Sequence, residues 1–327
     1  MRAVVYRRFG AASQVLSLEH CSNPLPQAGE VLVKIKFSGA NPSDVKSRAG
    51  SRPGVTKPAY EMIIPHSDGA GTIEAVGAGV EEKRIGQRVW IWNGQWGRAL
   101  GTAAEYIALP ADQAVEMPST MEFESGATLG IPGLTAAHCV FGGGAVEGQN
   151  VLISGGAGSV AHNAIQLAKW GGARVIATAS PGSFDRVKDA GADHVLDYSA
   201  PDLAKQISAI DPNGIDRAVE VEFGLNAGLL GRVMRPSGTI AAYGSALEMN
   251  PVFPFGPYLF KAITVDIVLV YILKPEQRSL AITKLHDAFA DGALSPAVHK
   301  IYPLQDCVKA HEQIERGGRS GAVLLAP

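Results

Sequence analysis

Cysteine is scarce in this sequence, and its scarcity excludes two structural classes. The 327 residues include 3 cysteines, Cys21, Cys139 and Cys307, which lie far apart and form no Cys-x-x-Cys motif. Disulfide frameworks and four-cysteine zinc lobes need more cysteines at closer spacings. We therefore expect the fold to be stabilised by ordinary hydrophobic cores.

An excess of one charge and a long hydrophobic run are also lacking. The chain carries 29 basic and 31 acidic side chains, a net charge of −2, so it has no electrostatic footprint for nucleic acid or an anionic membrane. The apolar run at residues 267 to 273 is too short to cross a bilayer, and the amino terminus has no signal-peptide core. We expect a cytoplasmic protein that binds a small molecule, with neither DNA nor a membrane as partner.

Glycine, in contrast, is abundant. The sequence has 38 glycines, well above the usual ~7 %, and they follow no collagen-like period. We expect them in turns and at close backbone approaches. At about 100–200 residues per domain, the length suggests two domains.

The two halves of the chain differ in pattern. Up to about residue 125, short β-branched or aromatic segments alternate with Gly, Pro or Asn, which predicts a β-rich domain. Beyond it, the patterns predict a strand at 150 to 154, a helix at 159 to 170, a strand at 174 to 178 and a later helix at 227 to 234. Such alternation is typical of βαβ units. We predict an α/β fold with a doubly wound parallel sheet in the centre of the chain.

A glycine turn links the first of these strands to the helix. Gly155 permits a tight turn, Gly158 lets the backbone approach a pyrophosphate, and Ala161 is small enough for helix and strand to pack closely. The N–H groups and the dipole at the helix start would hold the phosphates. We therefore assign dinucleotide binding to Gly155, Ala157, Gly158, Ser159 and Val160. The alternative is a structural turn that binds nothing.

The end of the second strand, residues 175 to 180, predicts which dinucleotide binds. NAD-binding proteins usually carry an acidic residue there for the ribose 2′-hydroxyl, whereas the first acid in this chain is Asp185. Because no carboxylate repels a 2′-phosphate, we predict NADPH. The candidate phosphate contacts are Ser180, Tyr198 and Arg319. Arg186 and Lys188 are nearby cations that either contribute or merely coat a helix face.

Several motifs resemble a known family in their order and spacing. They lie at residues 39 to 44, 65 to 71, 86 to 89, 101 to 106, 130 to 136, 214 to 216 and 318 to 321. Together with the glycine turn, they resemble the medium-chain dehydrogenase/reductase superfamily over nearly the whole chain. Within it, they are most similar to the zinc-free quinone oxidoreductase branch, which includes zeta-crystallin.

The resemblance implies a domain arrangement and an assembly. A GroES-like catalytic domain would comprise residues 1 to 125 and 266 to 327, with a Rossmann domain at 126 to 265 inserted in it and the nicotinamide in the cleft between them. It also implies a homodimer or tetramer in which residues 263 to 270 pair with their copy.

The resemblance further implies positions around the cofactor and substrate. Thr135, Gly244 and Ser245 match motifs beside the nicotinamide, and we assign Phe223 to the same site. Ile131 is assigned to the substrate pocket. Lys46 stands where many family members carry a pocket tyrosine.

Tryptophans between residues 90 and 97 are a departure from the family. Trp96, which follows a turn, is our candidate for the wall of the substrate pocket. Trp90 and Trp92 lie on one strand face, so they either line the pocket or pack in the core.

Metal and nucleophile chemistry find little support. Zinc-dependent relatives need a cysteine near position 40 and a His-Glu pair, where this chain has Asn41, Ser67 and Asp68. His66 lies one residue out of register, and we interpret it as a turn or packing histidine. With at most one ligand in view, we expect no metal. No Gly-x-Ser-x-Gly elbow is present.

Direct hydride transfer is the chemistry that remains. A neutral amide can stabilise charge that develops on a carbonyl oxygen, and we assign that role to Asn41. Asp44 would orient the site with Arg48 as its partner; alternatively, Asp44 caps a helix and Arg48 forms a surface ion pair.

We predict an NADPH-dependent reductase of quinones or related enones and enals. One alternative is a zinc-free alcohol dehydrogenase or an enoyl reductase, which needs a proton donor such as Tyr60. Another is an NADPH-binding protein without enzymatic activity, with a structural or mRNA-binding role.

Overall fold

Antiparallel strands dominate the ends of the chain and βαβ units its centre in the computed structural model, which describes residues 1–51 and 54–327. The strands are β1 (Arg2–Val5), β2 (Ser17–His20), β3 (Glu30–Ala40), β4 (Asp68–Val76), β5 (Arg88–Ile91), β6 (Tyr106–Pro110), β7 (Ala114–Glu116), β8 (Asn150–Ile153), β9 (Arg174–Ala179), β10 (His194–Asp197), β11 (Ile215–Glu220), β12 (Met234–Ala242), β13 (Thr264–Ile267), β14 (Val298–Pro303) and β15 (Ala322–Ala326). The α-helices are α1 (Ala12–Val15), α2 (Pro42–Ala49), α3 (Phe123–Gly126), α4 (Leu134–Phe141), α5 (Ser159–Trp170), α6 (Phe184–Asp189), α7 (Leu203–Ile210), α8 (Phe223–Val233), α9 (Phe255–Phe260), α10 (Pro275–Ala290) and α11 (Cys307–Arg316). Among these helices, none is long and apolar enough to span a membrane.

The described residues divide into two units. The first unit comprises Met1–Ile131 and Pro296–Pro327, and the second unit comprises Pro132–Ser295. The chain therefore leaves the first unit, forms the second and returns.

The larger sheet of the first unit is built around β3. Its strand order is β14-β15-β3-β4-β5-β7, with β6 paired to β3 off this path. Along β3, Val33 and Ile35 are buried whereas Lys34 and Lys36 are exposed, the period-two pattern of a strand with one face on a core. Gly39 pairs with Asp68 in antiparallel register, so the end of β3 and the start of β4 lie side by side.

The second unit contains the predicted doubly wound sheet, which is confirmed. Six parallel strands follow the order β10-β9-β8-β11-β12-β13. The chain proceeds outward from β8 on one side and from β11 on the other, and α/β proteins bind ligands at the carboxyl ends of strands at such a switch point. The helix predicted at 159 to 170 is confirmed as α5.

The boundary between the units differs from the predicted one at residue 265. Residues 266 to 295 lie in the second unit. The physical reason is pairing and packing: β13 continues the parallel sheet beside β12, and α10 packs against α4 and α5.

Candidate active site and nucleotide site

Asn41 and Asp44 lie where β3 leads into α2 in the first unit. Asn41 is the N-cap residue of α2, and its backbone N–H donates to the Asp44 carboxylate at 2.8 Å. Pro42 occupies the first turn, where its missing N–H is tolerated. Asp44 is itself buried. The structure therefore gives Asp44 the helix-capping role that was one of the two alternatives.

The side chain of Asn41 pairs with Asp68, a residue that sequence reasoning missed as a site residue. Asn41 Nδ2 donates to Asp68 Oδ2 at 2.8 Å, and both residues are buried. Burial, together with the nearby Asp44 carboxylate, raises the pKa of Asp68, while the Ile131 backbone N–H and the Asn41 amide act against that rise. The β3–β4 register brings these residues together, and that register could not be read from composition or motif spacing.

Gly130 makes room for this carboxylate. A Cβ atom at Gly130 would lie 2.2 Å from Asp68 Oδ1 and 2.6 Å from the Ile91 carbonyl oxygen. Real Cβ atoms do not approach other atoms so closely, because packing in protein interiors is already dense. Glycine at 130 is therefore a steric requirement of the Asp68 site.

Arg48 is a buried cation with two contacts in the first unit. It forms an ion pair with Glu315 of α11 and donates to the carbonyl oxygen of Gly10. These bonds attach α2 to α11 and to the loop after β1. Arg48 thus fixes the position of α2, the helix that carries Asp44.

Trp96 lines a cavity of about 430 Å³ in the first unit. The cavity is also lined by Tyr6, Phe9 and Tyr60, and the Tyr60 hydroxyl donates to the Gly97 carbonyl at 2.7 Å. Lys46 is exposed in the last turn of α2 and is not among the described residues that line the cavity. Of these two predicted pocket residues, Trp96 alone reaches this cavity.

The neighbouring tryptophans fit the core interpretation. Trp90 and Trp92 are both buried. Trp92 Nε1 donates to the Asp112 carbonyl oxygen at 3.2 Å, so its polar end is satisfied within the β-rich core.

The glycine turn of the second unit has three glycines in three different situations. Gly155 has φ +67°, a left-handed conformation that favours glycine. A Cβ at Gly156 would meet Val187 at 3.0 Å, so this glycine allows α6 to pack close to the turn. A Cβ at Gly158 would meet nothing nearer than the Gly155 carbonyl oxygen at 3.4 Å, an ordinary contact. The protein's own packing therefore does not require glycine at 158.

The residues predicted to bind the pyrophosphate lie in this turn and at the start of α5. Ala157 is in the turn, Gly158 is the N-cap residue of α5, and Ser159 and Val160 are in its first turn. No side chain caps this helix, and its first turn carries no acid. These N–H groups are therefore arranged for an anion.

Arg186 lies on α6, and the next residue, Val187, packs against Gly156 of the glycine turn. Its Nε and Nη2 are buried and have no hydrogen-bond partner in the part of the chain that the structure describes, and burial lowers its pKa. Burial, followed by the positive charge of Arg186, lowers the pKa of nearby His162 to about 4. Burying two guanidinium nitrogens without partners costs free energy unless an anion binds them.

The other three predicted phosphate contacts lie on different parts of the structure. Ser180 follows β9, and its hydroxyl lies 3.3 Å from that of Ser183. Tyr198 follows β10 and is exposed. Arg319 belongs to the first unit, and burial lowers its pKa.

The end of β11 carries two acids that sequence reasoning did not single out. Glu220 is buried, which raises its pKa, and it accepts from the Glu222 backbone N–H at 2.5 Å and from Asn226 Nδ2 at 3.0 Å. The Glu222 carboxylate accepts from the backbone N–H groups of Ala246 and Leu247. These acids organise the loop that follows β12.

Gly244 and Ser245, predicted beside the nicotinamide, also hold this loop. A Cβ at Gly244 would lie 2.4 Å from the Val221 carbonyl oxygen. Ser245 Oγ accepts from the Gly224 N–H at 2.8 Å and donates to a backbone carbonyl. Their role toward a cofactor remains a prediction, as it does for Phe223, the first residue of α8, and for Thr135, which is buried in α4.

Comparison with known families matches both units. The family model for the alcohol dehydrogenase GroES-like domain matches residues 27–119, and the model described as zinc-binding dehydrogenase matches residues 159–285.

Known proteins match over almost their full length. Pig quinone oxidoreductase is 29 % identical over 336 residues, which cover 99 % of this chain and 98 % of the pig protein. The rat synaptic vesicle membrane protein VAT-1 homolog is 26 % identical, covering 100 % of this chain and 84 % of its own.

Solved structures agree with this likeness. A mycobacterial protein complexed with NADPH has a TM-score of 0.87 at 27 % identity, and an NAD-dependent alcohol dehydrogenase has 0.88 at 28 %; each match covers 100 % of both chains. The chain belongs to the medium-chain dehydrogenase/reductase superfamily, in its quinone oxidoreductase branch.

The zinc that one family description implies does not fit the Asn41–Asp68 site. An amide nitrogen and one carboxylate face each other there, with Ser67 beside them in sequence. Catalytic zinc is held by three histidine, cysteine or acidic ligands. No step of the reaction is therefore derived through zinc at this site.

Proposed function

We propose that the protein is an NADPH-dependent reductase of quinones, with activated enones or enals as related substrates. The observation that carries the proposal is Arg186 on α6: two of its guanidinium nitrogens are buried without a hydrogen-bond partner among the described residues, and its charge acts on His162 of α5, the helix that follows the glycine turn. A 2′-phosphate is an anion of the right chemistry for this cation.

The residues of the second unit fit NADPH better than NADH. No acid ends β9 to bind a ribose 2′-hydroxyl, and a hydroxyl in place of a phosphate would leave Arg186 without a counter-charge. We assign the 2′-phosphate to Arg186 and Ser180, and the pyrophosphate to backbone N–H groups at residues 157 to 160. When bound, NADPH supplies a hydride from its nicotinamide.

In the first unit, the amide of Asn41 is the group that we assign to the substrate oxygen. An amide NH₂ has two donors; one donates to Asp68, and the other is available to a carbonyl oxygen that gains charge during reduction. Asp68 acts as a positioning residue, because its Oδ2 accepts from Asn41 Nδ2 and so holds the amide in one orientation.

The relatives support a small-molecule reductase. The likeness to pig quinone oxidoreductase supports a quinone as substrate, and the NADPH complex of the mycobacterial protein supports NADPH as cofactor. Because a structurally similar alcohol dehydrogenase is described as NAD-dependent, kinetics should be measured with both NADPH and NADH.

We also assign a homodimer or tetramer in the cytoplasm. Supporting the assembly, β13 is an edge strand of its sheet, and Ile267 is 71 % exposed. Exposed apolar edge strands are prone to pair with another strand. Ile267→Lys should convert the oligomer to monomers in analytical ultracentrifugation, and an unchanged sedimentation coefficient would contradict the assignment.

The cofactor assignment is tested on Arg186. Hydrogen bonds to charged groups contribute about 1.5–3 kcal/mol, so Arg186→Met should raise KM for NADPH at least about tenfold and leave KM for NADH unchanged. Lys188→Met, an exposed cation on the same helix, is the matched control. A wild type with higher kcat/KM for NADH than for NADPH would refute the assignment.

The substrate assignment is tested on Asn41. With 1,4-benzoquinone, 9,10-phenanthrenequinone and crotonaldehyde, Asn41→Ala should lower kcat by about 10²–10³, the usual loss for an oxyanion donor. The dissociation constant for NADPH should not change, and Ser43→Ala on the same turn should retain activity. Tight NADPH binding without turnover of any substrate by the wild type would favour the non-enzymatic alternative.

A further inference from the structure

Three potential metal ligands converge in the interior of the first unit: His66, Cys307 and His311. All three side chains are buried, and a ligand atom from each lies within 4.8 Å of the other two. The two imidazole rings stack with centroids 5.2 Å apart, and His66 Nε2 lies 2.9 Å from His311 Nε2. From sequence, His66 was interpreted as a turn or packing histidine; His311 lies far away in the chain, and only the fold brings the two together.

A chain of hydroxyl groups sets the tautomer of His66. Thr102 Oγ1 donates its proton to the Asp68 carbonyl oxygen at 2.5 Å, so it must accept from Ser38 Oγ at 2.8 Å. The single proton of Ser38 is thereby committed, so Ser38 accepts from His66 Nδ1 at 2.9 Å. His66 therefore carries its proton on Nδ1 and directs the lone pair of Nε2 at His311. In metal sites, the ring N–H that faces away from the ion is usually held by such a hydrogen bond, which fixes the tautomer of the ligand.

His311 and Cys307 present their ligand atoms from one helix. They are four residues apart on α11, a spacing that places side chains on the same face. Because His66 Nε2 accepts, His311 Nε2 carries the proton of its ring in the metal-free protein, and the buried His311 Nδ1 has no hydrogen-bond partner among the described residues.

The backbone at His66 is strained. Its φ is +76°, in the left-handed region that favours glycine. Residues held in such conformations cluster at functional sites. Here, the strained backbone holds the imidazole between Ser38 and His311.

We propose that His66 Nε2, His311 Nε2 and the Cys307 thiolate form a binding site for a borderline-to-soft transition-metal ion, Zn²⁺ or Cu⁺. Binding forms two metal–nitrogen bonds and one metal–sulfur bond: the Cys307 S–H proton is released to solvent, and the proton on His311 Nε2 moves to Nδ1, which frees the Nε2 lone pair; no redox step is involved. Thiolate and imidazole are the ligands that these ions prefer.

An ion is accommodated by side-chain movement. Metal–nitrogen bonds of about 2.0–2.1 Å require the two ring nitrogens, which lie 2.9 Å apart, to separate by a few tenths of an ångström. A metal–sulfur bond of about 2.3 Å requires Cys307 Sγ, which lies within 4.8 Å of a ring nitrogen of each histidine, to come to about 3.5 Å from each Nε2. The site is built from residues other than Asn41, Ser67 and Asp68, which occupy the reaction site. The ion would attach the segment before β4 to α11, so its role is structural and does not depend on the proposed function.

Metal binding is tested on the whole protein, without a histidine tag. Purified protein is stripped with a chelator, loaded with Zn²⁺ or, under reducing anaerobic conditions, with Cu⁺, and desalted. We expect stoichiometric retention of one of these ions and a higher Tm in its presence. Cys307→Ser should abolish stoichiometric retention and the rise in Tm, whereas Cys139→Ser, which removes the buried free cysteine of the second unit, should leave both unchanged.

Two measurements keep the test decisive if Cys307→Ser fails to fold. Wild type loaded with Co²⁺ should show a thiolate-to-cobalt charge-transfer band, and X-ray absorption of the retained ion should show two nitrogen ligands and one sulfur. Ser38→Ala removes the hydrogen bond that holds His66 Nδ1 and should weaken the affinity for the metal ion by about 10–100-fold. Substoichiometric retention of both ions by the wild type, or a ligand set without sulfur, would overturn the proposal and leave a hydrogen-bonded histidine pair.

Discussion

The two units acquire their candidate sites in different ways. In the second unit, the phosphate-binding turn is one contiguous segment between β8 and α5, because backbone N–H groups of neighbouring residues bind the anion. In the first unit, Asn41 and Asp68 meet through the β3–β4 register, and Gly130 packs against Asp68 from a segment much later in the chain. A site made of backbone can be recognised from local sequence, whereas a site made of side chains depends on tertiary packing.

The largest expected effect tests the packed site of the first unit. Gly130→Ala places a methyl group against Asp68 and the Ile91 carbonyl, and such overpacking should lower the free energy of unfolding by about 3 kcal/mol. Urea unfolding measures this loss. Gly182→Ala, where a Cβ would have open space, is the control and should change little. Equal stability of the two variants would show that the Asp68 site is not tightly packed.

A pair of glycines in the second unit separates packing from binding. Gly244→Ala, with its close approach to Val221, should lose about 1–3 kcal/mol of stability. Gly158→Ala should unfold like the wild type within about 0.5 kcal/mol, yet weaken NADPH binding at least about tenfold because the backbone can no longer approach the pyrophosphate. Urea unfolding and fluorescence titration measure the two quantities. An unchanged NADPH affinity in Gly158→Ala would remove the turn from the cofactor site.

Acid should weaken the first unit through its buried histidines. Burial lowers the pKa of His66 to about 3 and also lowers that of His311. A depressed folded-state pKa contributes stability that is present above the unfolded value near 6.5 and is lost as pH falls from there toward the folded value. Each proton taken up on unfolding should cost about 1.4 kcal/mol per pH unit in this window.

Metal-free protein unfolded in urea at several pH values between 7.5 and 5 tests this expectation. His311→Gln removes one of the two groups, so its stability should fall less steeply with acid than that of the wild type. Identical slopes would mean that His311 binds a proton equally well in the folded and unfolded states.

The smallest expected effect concerns Ser180. A neutral hydroxyl donates a hydrogen bond of about 1 kcal/mol at most, so Ser180→Ala should raise KM for NADPH by a few-fold while Arg186→Met has the larger effect. Initial-rate kinetics with NADPH and NADH compare the two variants. If Ser180→Ala raised KM for NADPH more than Arg186→Met does, Ser180 at the end of β9 would be the main contact of the 2′-phosphate.

Local patterns predicted the second unit well and the first unit partly. The 159 to 170 helix matches α5, whose apolar face and glycine turn are both local signals. The 227 to 234 helix in fact begins at Phe223, because the preceding Glu220 and Glu222 bond to the backbone and to Asn226 of its first turn. In the first unit, β14 was missed because its side chains are mostly exposed and show no alternation; its pairing with β15 defines it as a strand.

By itself, the amino-acid sequence determined the doubly wound sheet, the glycine turn and the missing acid after β9, because each depends on contiguous residues. Tertiary structure alone decided the Asn41–Asp68 pair, the unpaired state of Arg186 and the convergence of His66, Cys307 and His311. The physical reason is that burial and side-chain pairing are set by neighbours distant in the chain. Whether a histidine packs or binds, and whether an arginine is solvated or needs an anion, therefore depends on the folded environment.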